Sequence, residues 1–65
     1  MKINIAKILN EIERKGWSRY RLAKEMGMAN QTVYKILSGD GTGHTFKTVE
    51  KFADAINIES KDLII

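Results

Sequence analysis

Residues 30–35 read Asn-Gln-Thr-Val-Tyr-Lys, in which amides, hydroxyls and one cation surround Val33 and no acid occurs. The amides, the cation and the threonine each have a definite partner on the edge of a base pair. A carboxamide such as Asn30 or Gln31 presents a donor and an acceptor together and pairs with adenine N6 and N7. An ammonium such as Lys35 only donates, which suits guanine O6 and N7, and the Thr32 methyl can touch a thymine methyl. At about 100° per residue, Gln31, Tyr34, Lys35 and Ser38 fall on one side of a helix, opposite Val33, Ile36 and Leu37. Gln31 and Lys35 are four apart and project side by side. A helix that merely faces solvent is more usually rich in Glu–Lys pairs.

Other chemistry has weaker support. Residues 38–45, Ser-Gly-Asp-Gly-Thr-Gly-His-Thr, hold three of the five glycines. A phosphate-binding loop needs Gly-x-x-x-x-Gly-Lys-Ser/Thr between a strand and a helix. Here His44 follows Gly43 and no strand precedes, so a flexible connector is expected. His44 reads as an exposed loop residue or as a hydrogen-bond donor to a phosphate. No Ser/Cys–His–carboxylate signature is present, and Glu11 and Glu13, two apart, lie on different helix faces. With no cysteine and one histidine, neither a disulfide nor a Cys/His metal site is expected. The expectation is a protein that is not an enzyme and carries no cofactor or metal.

The polar run needs a scaffold, and periodicity supplies it. Ile5, Ile8, Leu9 and Ile12 make one apolar stripe, with Asn4 as N-cap and Gly16 as left-handed stop, which predicts a helix over 4–15. Ser18 opens a second, over 18–26, where Trp17 and Leu22 form a hydrophobic staple and Gly27 ends the element. A third runs over 29–38 from Ala29, a poor cap, with Val33, Ile36 and Leu37 inward and Gly39 closing it. After the loop, Thr45 caps a fourth helix whose core face is Val49, Phe52, Ala53 and Ile56, ended by Asn57. Residues 60–64 form a last short helix. The second and third helices, joined across Met26-Gly27-Met28-Ala29, have the pattern of a helix-turn-helix. The predicted fold is all-α, a single domain over 1–65 of about five short helices, with a core of Ile8, Leu22, Val33, Ile36, Val49, Phe52 and Ile56.

The charge agrees with the polar run. The 65 residues carry net +3. Arg14, Lys15, Arg19, Arg21, Lys24 and Lys35 face only Glu25 between residues 14 and 35, a local +5, whereas residues 36–65 sum to −2. A basic segment in an otherwise neutral or acidic domain points to an anionic partner or to a solvated face. The longest apolar run, Leu63-Ile64-Ile65, is far short of the ~20 residues of a membrane helix, and no signal stretch opens the chain. A cytoplasmic location and no membrane contact are expected.

At these residues the sequence resembles the phage repressor and Cro (Cro/CI-type) helix-turn-helix family. The resemblance spans about Ser18 to Ile58 through Leu22-Ala23, Met26-Gly27-Met28, Thr32-Val33, Ile36, Ser38-Gly39, Thr45, Val49, Ala53 and Ile56. It implies a lambda-repressor-like bundle that binds double-stranded operator DNA, usually as a dimer on a palindromic site, and regulates transcription. By position it implies base reading by Asn30, Gln31, Tyr34 and Lys35, and backbone contact by Ser18, Arg19, Thr32 and Thr45. The chain departs from the family at Ala29, where Ser or Thr is frequent, and at Asp40-Gly41-Thr42-Gly43-His44, where the family often has a basic, proline-containing loop. Ile64 and Ile65 are candidates for a weak homodimer contact or for core packing. The competing functions are an antitoxin of a toxin–antitoxin pair and a protein-interaction modulator on the same fold.

Overall fold

The computed structural model of the chain describes residues 2–65. Four α-helices follow one another: α1 (Ile5–Lys15), α2 (Arg19–Met26), α3 (Asn30–Ser38) and α4 (Phe46–Ile56), and a 3-10 turn at Ser60–Leu63 ends the order. The caps have the expected local causes. Asn4 Oδ1 accepts from the Lys7 amide at 3.1 Å, and Ser18 Oγ accepts from the Arg21 amide at 3.1 Å, so α1 and α2 each start on a side-chain acceptor. Gly16 and Gly27 stop these helices at φ 72° and 69°, a region closed to most side chains. Asn57 does the same for α4 at φ 60°, as the short amide allows.

The inward stripes merge into one core. Ile8, Leu22, Val33, Ile36, Val49, Phe52 and Ile56 are all buried, together with Ile12, Ala23, Leu37 and Ala53. Ile5, Leu9, Trp17, Met26 and Met28 lie half-buried around it. Phe52, with no exposed surface, is the largest of the core side chains.

Three features differ from the sequence reading, the first two for non-local reasons. First, Ile3 and Leu63 are core residues, at 1% and 0% exposure. Second, the ends of the chain are tied to each other and to the loop. The Ile3 amide donates to the Gly41 carbonyl at 2.8 Å, the Asn4 amide to the Leu63 carbonyl at 2.7 Å, and the Ile65 amide to the Lys2 carbonyl at 2.9 Å. Ile3 and Ile64 form one isolated antiparallel bridge; there is no extended strand among the described residues. The glycine-rich loop is therefore pinned at Gly41 rather than a free connector. Gly41 is buried at φ 90°, and a Cβ there would overlap the Ile3 carbonyl. Third, Thr45 stands at the N-cap position of α4 but makes no side-chain cap; its Oγ1 lies 3.4 Å from Thr48 Oγ1.

Candidate nucleic-acid interface

The helix-turn-helix is α2, the turn at Gly27-Met28-Ala29, and α3. Leu22 and Ala23 from α2 and Val33, Ile36 and Leu37 from α3 are buried together in the core, which fixes the rotation of α3. In the turn, the Met28 amide donates to the Ala23 carbonyl at 3.1 Å and the Gly27 amide to the Lys24 carbonyl at 3.2 Å. Nothing lies within 4 Å of a Cβ placed at Gly27, so the glycine is needed for its positive φ and not for room.

With the inward stripe fixed, the outward face of α3 follows. Gln31, Thr32, Tyr34, Lys35 and Ser38 are exposed, and Asn30 is half-buried. Gln31 is at the crest, Lys35 leans about 40° to one side of it and Tyr34 about 60° to the other. Each side borders a cleft. Tyr34 and Ser38 share one with Ser18, Arg19 and Tyr20 of the α2 start. Thr32, Lys35 and Ile36 share the other with Met28, His44 and Thr48, at the loop and the start of α4. Of the four base-reading candidates, Gln31 and Lys35 thus stand outermost. Tyr34 turns toward the α2 start, and Asn30 sits lower on the same flank.

The four backbone-contact candidates are split between the two clefts and their rims. Ser18 and Arg19 line the first; Thr32 lines the second, and Thr45 is exposed beside it. Ser18 Oγ accepts from the Arg21 amide, which leaves its hydroxyl proton to donate outward. Among the described residues Arg19, Lys24 and Lys35 have no ion-pair partner, whereas Arg21 is held by Glu25 at 2.8 Å and lies over the Trp17 ring at 5.0 Å. Lys15 also lies over Trp17, at 5.6 Å. The free cations of the basic segment therefore include Arg19 and Lys35, one in each cleft. Two cleft residues escaped the sequence reading. Tyr20, 56% exposed, falls off the Leu22-Ala23-Met26 stripe, and that phase was a usable signal. Thr48 had none, because its place beside α3 depends on how α4 packs.

Neither shifted carboxyl lines these clefts. The Glu11 carboxyl is lowered from its ordinary 4.5 chiefly by its hydrogen bond from Arg14, at 2.6 Å. The Asp40 carboxyl is lowered from 3.8 by hydrogen bonds from the Thr42 hydroxyl, at 2.7 Å, and the Thr42 amide, at 3.0 Å. No group of three or more His, Cys, Asp or Glu side chains that could hold a metal ion occurs among the described residues. No helix there is long and apolar enough to cross a membrane.

The arrangement is a convex, acid-free helix face between two hydroxyl-rich clefts, each with one unpaired cation. A helix of this kind fits the major groove, about 12 Å wide, with a phosphate strand on either side. Comparison with known families agrees: the family model for the Cro/C1-type HTH DNA-binding domain matches residues 7–65. No curated protein and no solved structure matches the chain.

Proposed function

The chain belongs to the Cro/C1-type HTH DNA-binding domain family, and from that premise we propose that it is a sequence-specific transcriptional regulator of the phage or prophage repressor and Cro kind. It reads operator DNA in the major groove with α3. Gln31 pairs with an adenine edge, Lys35 with a guanine edge, and Asn30 and Tyr34 complete the reading surface. Ser18, Arg19, Thr32 and Thr45 hold the flanking phosphates and set the register. The observation that carries this reading is the α3 face itself: five exposed polar or aromatic side chains without one acid, turned outward by a buried Val33-Ile36-Leu37 stripe.

One domain presents one such helix, and two copies on a two-fold axis read two half-sites. Ile65, 69% exposed, supports a weak homodimer with Ile64 beside it, on a palindromic operator. Selection of bound sequences from a random DNA pool tests the function. The expected result is a strong motif with inverted half-sites about one helical turn apart. A pool that shows no enrichment rejects operator reading, and favours the protein-interaction modulator or an antitoxin whose main partner is its toxin.

A further inference from the structure

The sequence reads His44, the only histidine, as an exposed residue of a glycine-rich loop or as a hydrogen-bond donor to a phosphate. The fold places it beside α3. It is half-buried and shares a cleft with Thr32 and Lys35 of α3 and Thr48 of α4, floored by Met28 and Ile36. The loop that carries it is held at two points. Gly41 is pinned by the Ile3 amide, and Asp40 accepts from the amide and hydroxyl of Thr42. These ties hold the loop backbone just before His44, on the flank of the proposed reading helix.

Its polar neighbours in the cleft suit an anion. Lys35 is the charged side chain on the α3 wall, Thr32 and Thr48 offer hydroxyl donors, and the cleft lining contains no carboxylate. The loop's acid, Asp40, is occupied by Thr42. The first turn of α4 adds Lys47, which is exposed. A neutral imidazole in this setting offers one N–H donor. A protonated one offers two donors and a charge, and imidazole exchanges that proton between about pH 5 and 8.

We propose that His44 is a DNA-contacting residue, that its cleft holds a backbone phosphate together with Thr32 and Thr48, and that this contact takes up a proton on binding. The proposal rests on the DNA-facing role of α3. Its consequence is an affinity that depends on pH at a side chain that reads no base. The direction follows from linkage. The complex favours the protonated imidazole, so the extra affinity is fully present below the free imidazole's range and is lost as pH rises through the bound one's. Each unit by which the phosphate raises the bound imidazole's pKa tightens the complex about ten-fold at the acid end. The contact adds one neutralised phosphate, so the slope of log K against log[salt] is steeper by about 0.9 at pH 5.5 than at pH 7.5.

The test uses the full chain, the selected operator and an arbitrary duplex, with dissociation constants measured from pH 5.5 to 7.5 at fixed ionic strength. The expected result is tightening with acid on both DNAs for the parent, and a flat profile for His44→Gln. Equal pH profiles for parent and variant, or a flat parent, overturn the proposal. A direct reading of the imidazole by proton NMR in the parent, free and bound, removes any dependence on the variant's folding: the titration must move upward in the complex, and an unmoved midpoint also overturns the proposal. Tightening on both DNAs without preference for either keeps the His44 contact and rejects operator reading; operator preference with no pH dependence does the reverse.

Discussion

The helix-turn-helix and the tie between the chain ends are built by opposite means. In the first, nearly every stabilising feature is a few residues long. Ser18 caps three residues on, Gly27 stops α2, and Leu22, Ala23, Val33, Ile36 and Leu37 recur at helical spacing. In the second, each partner is distant in sequence: Ile3 bonds to Gly41, Asn4 to Leu63, and Ile65 to Lys2. The first leaves its polar side chains facing outward. The second turns its polar groups inward, on backbone partners, around buried Ile3 and Leu63. The contrast separates a surface made for a partner from one made to hold the surface in place.

The largest expected effect lies in the element they share. Leu22→Ala removes a side chain with no exposed surface at the junction of α2 with the core and should cost ~2–5 kcal/mol, a large share of a small domain's stability. Urea unfolding followed by circular dichroism measures it. A loss near zero would mean that the helix-turn-helix does not depend on the common core.

Gly41→Ala tests the tie alone. The new Cβ would meet the Ile3 carbonyl at a residue already at φ 90°, and strain of this kind costs on the order of 1–3 kcal/mol. The loss should come with faster amide exchange at Ile3 and Ile65, while amides in the middle of α2 and α3 slow or speed only with global stability. Uniform change across all of them would mean that tie and helix-turn-helix unfold as one unit.

This difference in construction also decides what could be read from the sequence. Helix positions, Asn4 and Ser18 as caps, Gly16, Gly27 and Asn57 as stops and the seven core residues were legible, because each obeys a rule spanning three or four residues. Ile3 and Leu63 were not, because neither belongs to a helical stripe, and only the meeting of the two termini buries them. Gly41 looked like loop composition for the same reason: its requirement comes from Ile3, 38 positions earlier in the chain. At the interface, the outward set on α3 was legible from phase. The division of that face into two clefts was not, since Tyr20, His44 and Thr48 reach it from other elements.

On the outward face the comparison predicts binding effects without stability effects. Gln31→Ala and Lys35→Ala should each lower affinity for the selected site ~10- to 100-fold and relax preference at different base pairs. Their melting temperatures should stay close to the parent's, because both side chains are exposed. Binding titrations against single-base operator variants give the result, and unchanged preference at every position would remove α3 from the reading role. Arg19→Ala should behave differently again, with a smaller loss that is similar on all sequences and a salt slope reduced by about 0.9. An unchanged slope would place Arg19 away from the phosphates.

The smallest expected effect returns to the loop between the two regions. Asp40 accepts from the Thr42 amide and hydroxyl, and these bonds hold its carboxyl below the ordinary 3.8. The charged form is favoured in the fold. Its contribution is therefore present above the unfolded value and is lost as pH falls through the lower folded one. The group is exposed, so global stability should hardly move. What should move is local: the Thr42 amide loses its acceptor as Asp40 takes a proton, and its chemical shift reports the step. The expected midpoint lies below 3.8, and Asp40→Ala abolishes it. A midpoint at or above that value would show that the turn does not hold the charged form. The Ile3 amide, bonded to the Gly41 carbonyl next door, tells whether the turn and the tie are coupled. A shared midpoint makes Asp40 part of the structure that positions His44, and an Ile3 amide indifferent to the titration limits Asp40 to its own turn.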